Sequence, residues 1–185
     1  MPAVYDFIAR ELRRHLTASA TCLEIGCGAK QYRPFVPGRY LGLDLATSPY
    51  LKEAPEIIGS VEAIALPDAS IDLVFGVGVF CLVADVVLAF RECRRVLKNG
   101  GKLLIFDYQK KTLDRLWAVD RQSQHRWDFQ ELRDDLCRAG FRRSAVLDIT
   151  AATCWRGQGI LGTAKAASYR LGIVAGTWLV CEAAA

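Results

Sequence analysis

Apolar positions recur along the chain in short blocks whose period changes from one block to the next. In residues 4–16, Val4, Phe7, Ile8, Leu12 and Leu16 fall at helical spacing with charges opposite, which predicts an amphipathic helix. Plain core packing is the first reading of that helix, and a flap over a ligand is the second. The pattern then becomes an apolar run, residues 20–25, that reads as a buried strand and breaks at Gly26-Cys27-Gly28. In residues 29–38, Pro34 and Pro37 limit any helix to about one turn, so the first crossover is expected to be short.

Further strands are predicted at residues 39–45, 56–60, 71–78 and 102–108. The clearest helix spans 85–98, with Val86, Ala89, Phe90, Cys93, Val96 and Leu97 inward and Arg91, Glu92, Arg94, Arg95 and Lys98 outward. Asn99-Gly100-Gly101 is expected to stop it. A second helix is predicted at 129–139, with Phe129, Leu132, Leu136 and Cys137 inward, and a strand follows at 142–150. Residues 160–174 can form a helix and 177–182 a last strand, whereas 109–127 carries no clear period. Strands alternating with helices imply an α/β fold in which a parallel sheet is covered on both faces.

Composition adds bounds. At 185 residues and 52% hydrophobic, the chain fits one domain with an ample core. The net charge of +4 is spread over several segments, so no nucleic-acid partner is expected. The basic face of the 85–98 helix reads as solvated surface. The 7 cysteines include no C-x-x-C pair and mostly sit among apolar neighbours, as free thiols do in a reducing compartment. The first residues lack the basic-then-apolar order of a secretory signal, so a cytoplasmic protein is expected. Lys165 and Arg170 interrupt the most apolar late stretch, and no transmembrane span is expected. Nothing in the sequence sets the oligomeric state.

Candidate chemistry begins at Gly26-Cys27-Gly28. A strand ending in G-x-G lets a ligand approach the backbone. A dinucleotide loop would need a glycine at position 31, which is Gln31, so a nicotinamide oxidoreductase is disfavoured. Asp44 ends the second strand 18 residues beyond Gly26, where a carboxylate can accept two hydrogen bonds from a ribose diol or cap the next segment. Gly76 and Gly78 again allow close approach, and Asp107 and Tyr108 stand at a C-terminal strand edge. Cys27 has no base beside it and reads as a small side chain in a tight turn.

In that order, LEIGCG, YLGLDL, AIALPDASIDLVFGVGVF, FRECRRVLKNGGKLLIFD and DFQELRDDLCRAGF resemble the motifs of the class I S-adenosylmethionine-dependent methyltransferases, in the small single-domain form. The resemblance runs over residues 21–141. It implies a Rossmann-like three-layer sandwich whose seven-stranded, mostly parallel sheet has an antiparallel last strand. One domain, 1–185, would comprise an N-terminal helix (1–18), a cofactor-binding half (21–108) and a substrate-side half (109–185). The cofactor would be S-adenosyl-L-methionine. Carried over by position, Gly26, Cys27 and Gly28 would pass along its methionine part, and Glu24 would orient the loop or hold the amino group through water. Asp44 would bind the ribose hydroxyls and Leu45 would lie beside the adenine. Ser60, Val61 and Glu62 would border the adenine edge, and residues 77–80, from Val77 to Phe80, would lie under the transferring methyl group. The family commonly has an acidic residue at the position of Ser60 and a histidine near Leu82.

Methyl transfer from a sulfonium asks mainly for alignment in a dry site, and a general base only for a protonated acceptor. Tyr32, Asp107, Tyr108 and His125 are the candidates for contact with the reacting groups. For His125 a structural or lid role weighs more, and for Tyr108 packing weighs about equally. The implied function is methyl transfer to a small-molecule or lipid-linked acceptor. The alternative is a catalytically degenerate methyltransferase-like partner subunit, motivated by Ser60, Leu82 and the short crossover.

Overall fold

The computed structural model describes residues 2–108, 127–148 and 178–184. Helix α1 (Pro2–His15) precedes strands β1 (Thr21–Ile25), β2 (Arg39–Asp44), β3 (Ile57–Ile58) and β4 (Ile71–Val77). Helix α2 (Val86–Val96), β5 (Leu97–Tyr108), α3 (Phe129–Arg138), β6 (Arg143–Asp148) and β7 (Trp178–Ala184) follow. The strands form one 7-stranded sheet in the order β3-β2-β1-β4-β5-β7-β6. β1 to β5 pair in parallel, and β7 runs antiparallel to both β5 and β6. The parallel α/β sheet and its antiparallel last strand are therefore as expected.

Alternation along β1 divides the core between the two faces of the sheet. Leu23 and Ile25 join Phe90, Cys93, Leu132 and Leu136 on the side of α2 and α3. Cys22 joins Ile8, Leu12, Phe75 and Phe106 on the side of α1. Among the described residues, that second cluster is the smaller of the two. Between β1 and β2 the only helical element is a 3-10 turn, Arg33–Phe35, with Pro34 inside it, as the two prolines predicted.

Residues 61–70 form no helix and are held from outside instead. The Arg95 guanidinium of α2 donates to Ile64 O (2.8 Å), Leu66 O (2.9 Å) and Asp68 Oδ1 (2.6 Å) while also pairing with Glu92. Lys98 pairs with Asp72 at 2.8 Å. Of the cations assigned to a solvated basic face, Arg95 thus ties α2 to the loop before β4, and Lys98, at the start of β5, ties that strand to β4.

Four boundaries or faces depart from expectation, each for a local reason. β3 is shorter than 56–60 because, after the last ladder bond from Gly59 N to Asp44 O, Ser60 Oγ accepts from Glu62 N and turns the chain. α2 ends at Val96 because Leu97 already pairs with Ile71, so the strand runs through Asn99-Gly100-Gly101 as a bulge before Lys102 meets Leu73. On α3, Cys137 is exposed and Phe129 partly so. Helical spacing from Leu132 brings Asp135 and Leu136 inward, and Asp135 is buried.

Asp135 has a partner that explains its burial: Trp127 Nε1 donates to its Oδ2 at 2.9 Å, and Arg138 pairs with its other oxygen. The Trp127 ring stands 6.4 Å from Phe90, which ties α3 to α2. Trp127→Phe should keep an aromatic ring beside Phe90 and leave a buried acceptor short of a donor, costing about 1–3 kcal/mol of stability, readable in urea unfolding. His125, the rest of residues 109–126 and the helix expected at 160–174 lie outside the described residues. So do residues 149–150 of the strand expected at 142–150.

Candidate functional site

The strand order reverses at β1, whose neighbours are β2 and β4. Open α/β sheets bind ligands outside the C-terminal ends of the strands at such a switch point. At that point stand Ile25, Asp44 and Val77, the last residues of β1, β2 and β4. Gly26 has φ +65 and Gly28 φ +46, both left-handed, so the turn exposes backbone where a side chain would be strained. Packing also demands the first glycine. A Cβ on Gly26 would lie 2.5 Å from Val79 Cγ2, and one on Gly76 would lie 2.7 Å from Val79 Cγ1. Val79 is therefore a wedge between the ends of β1 and β4.

Asp44 holds the turn from β2. Its Oδ2 accepts Gly28 N at 2.8 Å, and its Oδ1 accepts Leu45 N at 2.8 Å. Each oxygen keeps lone-pair capacity for a further donor. Leu45 beyond it is 52% exposed, a free apolar surface at the strand tip. Cys27 packs under the turn, 2.8 Å from where a Gly42 Cβ would be. Burial first, then the nearby Glu24 and Asp44 charges, push its thiol up to about 12, so it stays protonated at neutral pH. That agrees with its reading as packing rather than nucleophile.

Glu24 lies on the α1 side of β1 and is 3% exposed. It accepts a hydrogen bond from the Tyr40 hydroxyl. Burial is the main cause of its carboxyl being raised to about 8; Asp44 and Glu56 add to the shift, while the Tyr40 hydrogen bond and Lys30 oppose it. The folded state thus binds a proton that the unfolded chain loses near 4.5, so this group's contribution is complete below that pH and is lost as the pH rises through about 8. Glu24→Gln should flatten the decline in stability over that interval, measured as urea midpoints against pH.

Sequence reasoning missed Lys30 and Tyr40. Lys30 is buried, with φ +50. Its Nζ donates to Ala54 O at 2.7 Å and Glu56 Oε1 at 2.8 Å, lashing the turn to the approach to β3. Burial works against the Glu56 charge, but bonds from Lys30 and from Gly42 N hold its carboxyl below the ordinary value. A lysine after two glycines carries no pattern of its own. The one available signal was Glu53 and Glu56 ahead of the third strand.

The other expected residues separate. Ser60 donates to Glu62 Oε2 at 3.2 Å, and Glu62 Oε1 accepts Asp85 N at 2.7 Å, so this loop is fastened to the start of α2. Val61 is buried in the core on the α2 side. Tyr32 is 5% exposed, held by the rings of Tyr5 at 5.4 Å and Phe75 at 6.1 Å. Burial, then Glu24 and Tyr5, push its phenol up to about 12. Tyr5 also donates to Gln31 O at 3.0 Å, so α1 pins the exit of the glycine turn. Asp107 is fully buried, and its Oδ2 accepts Cys81 N at 3.1 Å, supporting the turn after β4. Tyr108 ends β5 opposite Trp178 of β7. Among the described residues no cluster of three metal-ligating groups occurs, and no helix is long and apolar enough to cross a membrane.

Residues 23–105 match the methyltransferase domain family. No curated protein sequence matches the chain. Among solved structures, the [4+2]-cyclase SpnF is similar with a TM-score of 0.70 at 17% identity, over 97% of this chain and 80% of that one. An S-adenosylmethionine-dependent methyltransferase of Thermotoga maritima, described as a possible histamine N-methyltransferase, aligns with a TM-score of 0.66 at 19% identity, over 98% and 94%. Phosphoethanolamine N-methyltransferase 2 of Haemonchus contortus, in complex with S-adenosyl-L-methionine, aligns with 0.68 at 17% identity, over 96% of this chain and 52% of that one. At these identities the likeness is one of fold. The family match, however, spans the stretch from β1 to β5 that builds the glycine turn and its supports, so this part of the chain matches a methyltransferase domain and the chain has the fold of the S-adenosylmethionine-dependent methyltransferases.

Proposed function

We propose that the chain moves the methyl group of S-adenosylmethionine to a small-molecule or lipid-linked acceptor at the C-terminal ends of β1, β4 and β5. The observation that carries this reading is the Asp44 carboxylate, buried at the switch point and bonded to Gly28 N, with oxygen capacity left for a diol. The residues present fit the cofactor. Gly26 and Gly28 leave backbone open beside its methionine part, the buried Glu24 carboxyl suits its ammonium, and exposed Leu45 suits the adenine face. The cofactor supplies an activated methyl group. The chain's own residues have to seat it, exclude water and aim the acceptor along the line of displacement.

The fold also carries a [4+2]-cyclase, so the decisive test reads ligand and reaction separately. Calorimetric titration is expected to give saturable S-adenosylmethionine binding and none for NAD. Formation of S-adenosylhomocysteine is then followed against panels of amines, phenols and phospholipids. No binding at millimolar S-adenosylmethionine would overturn the reading.

A further inference from the structure

Glu24 is surrounded by an unusual set of groups for a buried carboxyl. From β2 it faces Tyr40, whose hydroxyl donates to it, and Asp44. From its own strand and the following turn come Cys22, Cys27, Lys30 and Tyr32, and from the approach to β3 comes Glu56. The lysine is already engaged with Glu56 and the Ala54 carbonyl, so it does not neutralise Glu24 directly. Three carboxyl groups, Glu24, Asp44 and Glu56, therefore lie together at the foot of a turn shaped for a ligand that brings its own positive charge, and the buried lysine among them is taken by Glu56 and Glu53.

We propose that Tyr40 is a positioning residue for the cofactor, and that the Glu24–Tyr40 pair couples cofactor binding to proton release. The Tyr40 hydroxyl aims the Glu24 carboxyl at the glycine turn. In the free protein that carboxyl carries a proton, retained by burial and by Asp44 and Glu56. On binding, the ammonium of S-adenosylmethionine becomes the counter-charge, Glu24 ionises, and its proton passes to solvent. Charge balances, because one proton leaves for each carboxylate formed. The Arg33 guanidinium lies 5.9 Å from the Tyr40 ring centroid, and the hydroxyl takes its direction from the bond to Glu24.

This inference rests on the reading of the turn as the cofactor's seat, and the test separates the two. Calorimetry near pH 6.5, below the α-amino range of about 7.7–8.0, is run in buffers of different ionisation enthalpy. It should show about one proton released per S-adenosylmethionine bound, and affinity rising close to tenfold per pH unit. Glu24→Gln should bind with no proton release and no such slope. Difference infrared spectra should show the carbonyl stretch of a protonated carboxyl disappearing when S-adenosylmethionine is added, and absent throughout in Glu24→Gln. In Tyr40→Phe the same band should titrate at a higher pH than in the wild type, because the lost hydrogen bond favoured the carboxylate. A merely structural tyrosine would leave that midpoint in place. Binding without proton release, or an unmoved band in Tyr40→Phe, overturns the inference. Absence of binding by the wild type overturns the cofactor reading itself.

Discussion

Asp44→Asn is expected to weaken S-adenosylmethionine binding about 100-fold while leaving the fold intact. The wild-type carboxylate accepts two backbone N–H groups, from Gly28 and Leu45. In the proposed function it accepts two ribose hydroxyls as well. Asparagine has the same shape but only one acceptor oxygen, so its amide group would face either a backbone donor or a ribose hydroxyl. Hydrogen bonds to a charged group are worth about 1.5–3 kcal/mol each. Losing one to a ribose hydroxyl and weakening the brace on Gly28 together come to about 3 kcal/mol, or roughly two decades in Kd. Calorimetric Kd values for the two proteins check this, with circular dichroism melts as the control. An unchanged Kd removes Asp44 from the ribose, and with it the main support for the proposed seat.

Gly26→Ala should be the most damaging single methyl group that can be added at the site. Two effects act together. The left-handed backbone at φ +65 costs a residue with a Cβ about 1–2 kcal/mol. The Cβ would also meet Val79 Cγ2 at 2.5 Å, an overpacking of the kind that costs about 1–3 kcal/mol. The expected loss is about 2–4 kcal/mol of stability, together with weaker cofactor binding as the turn shifts. Because Val79 supplies the clash, Gly26→Ala combined with Val79→Ala should lose less than the sum of the two single variants, leaving mainly the backbone strain. Urea unfolding of the three variants decides it, and strict additivity would mean that Val79 is not the wedge.

What was legible in the sequence follows from which physical signals are local. β1, β2, β4 and α2 were readable because burial alone dictates their apolar periods, and the short first crossover because Pro34 and Pro37 forbid anything longer. The Gly26 turn and Asp44 were readable because strand ends in a parallel sheet lie side by side. Lys30, Tyr40 and Glu56 act through pairs 14 to 26 residues apart, and no spacing rule announces such partners. Asp135 was hidden for a related reason: a charged residue on the inner face of α3 makes sense only once Trp127 is beside it. The end of α2 was misjudged because Leu97 answers to Ile71 across the sheet rather than to the glycines that follow it.

The place of β7 between β5 and β6 has a consequence for how the protein is made. Its residues, Trp178–Ala184, are synthesised after every other described strand, yet they pair with β5 from Lys102 to Tyr108 and, among the described strands, are the one neighbour of β6. Until they leave the ribosome, the growing chain presents the apolar run Leu103–Phe106 of β5 with an open backbone edge. Such an edge is a template for pairing with other chains. The vulnerable interval in the life of this protein therefore lies between the emergence of β5 and the arrival of β7, when the glycine turn already exists but the sheet beside it is still unzipped.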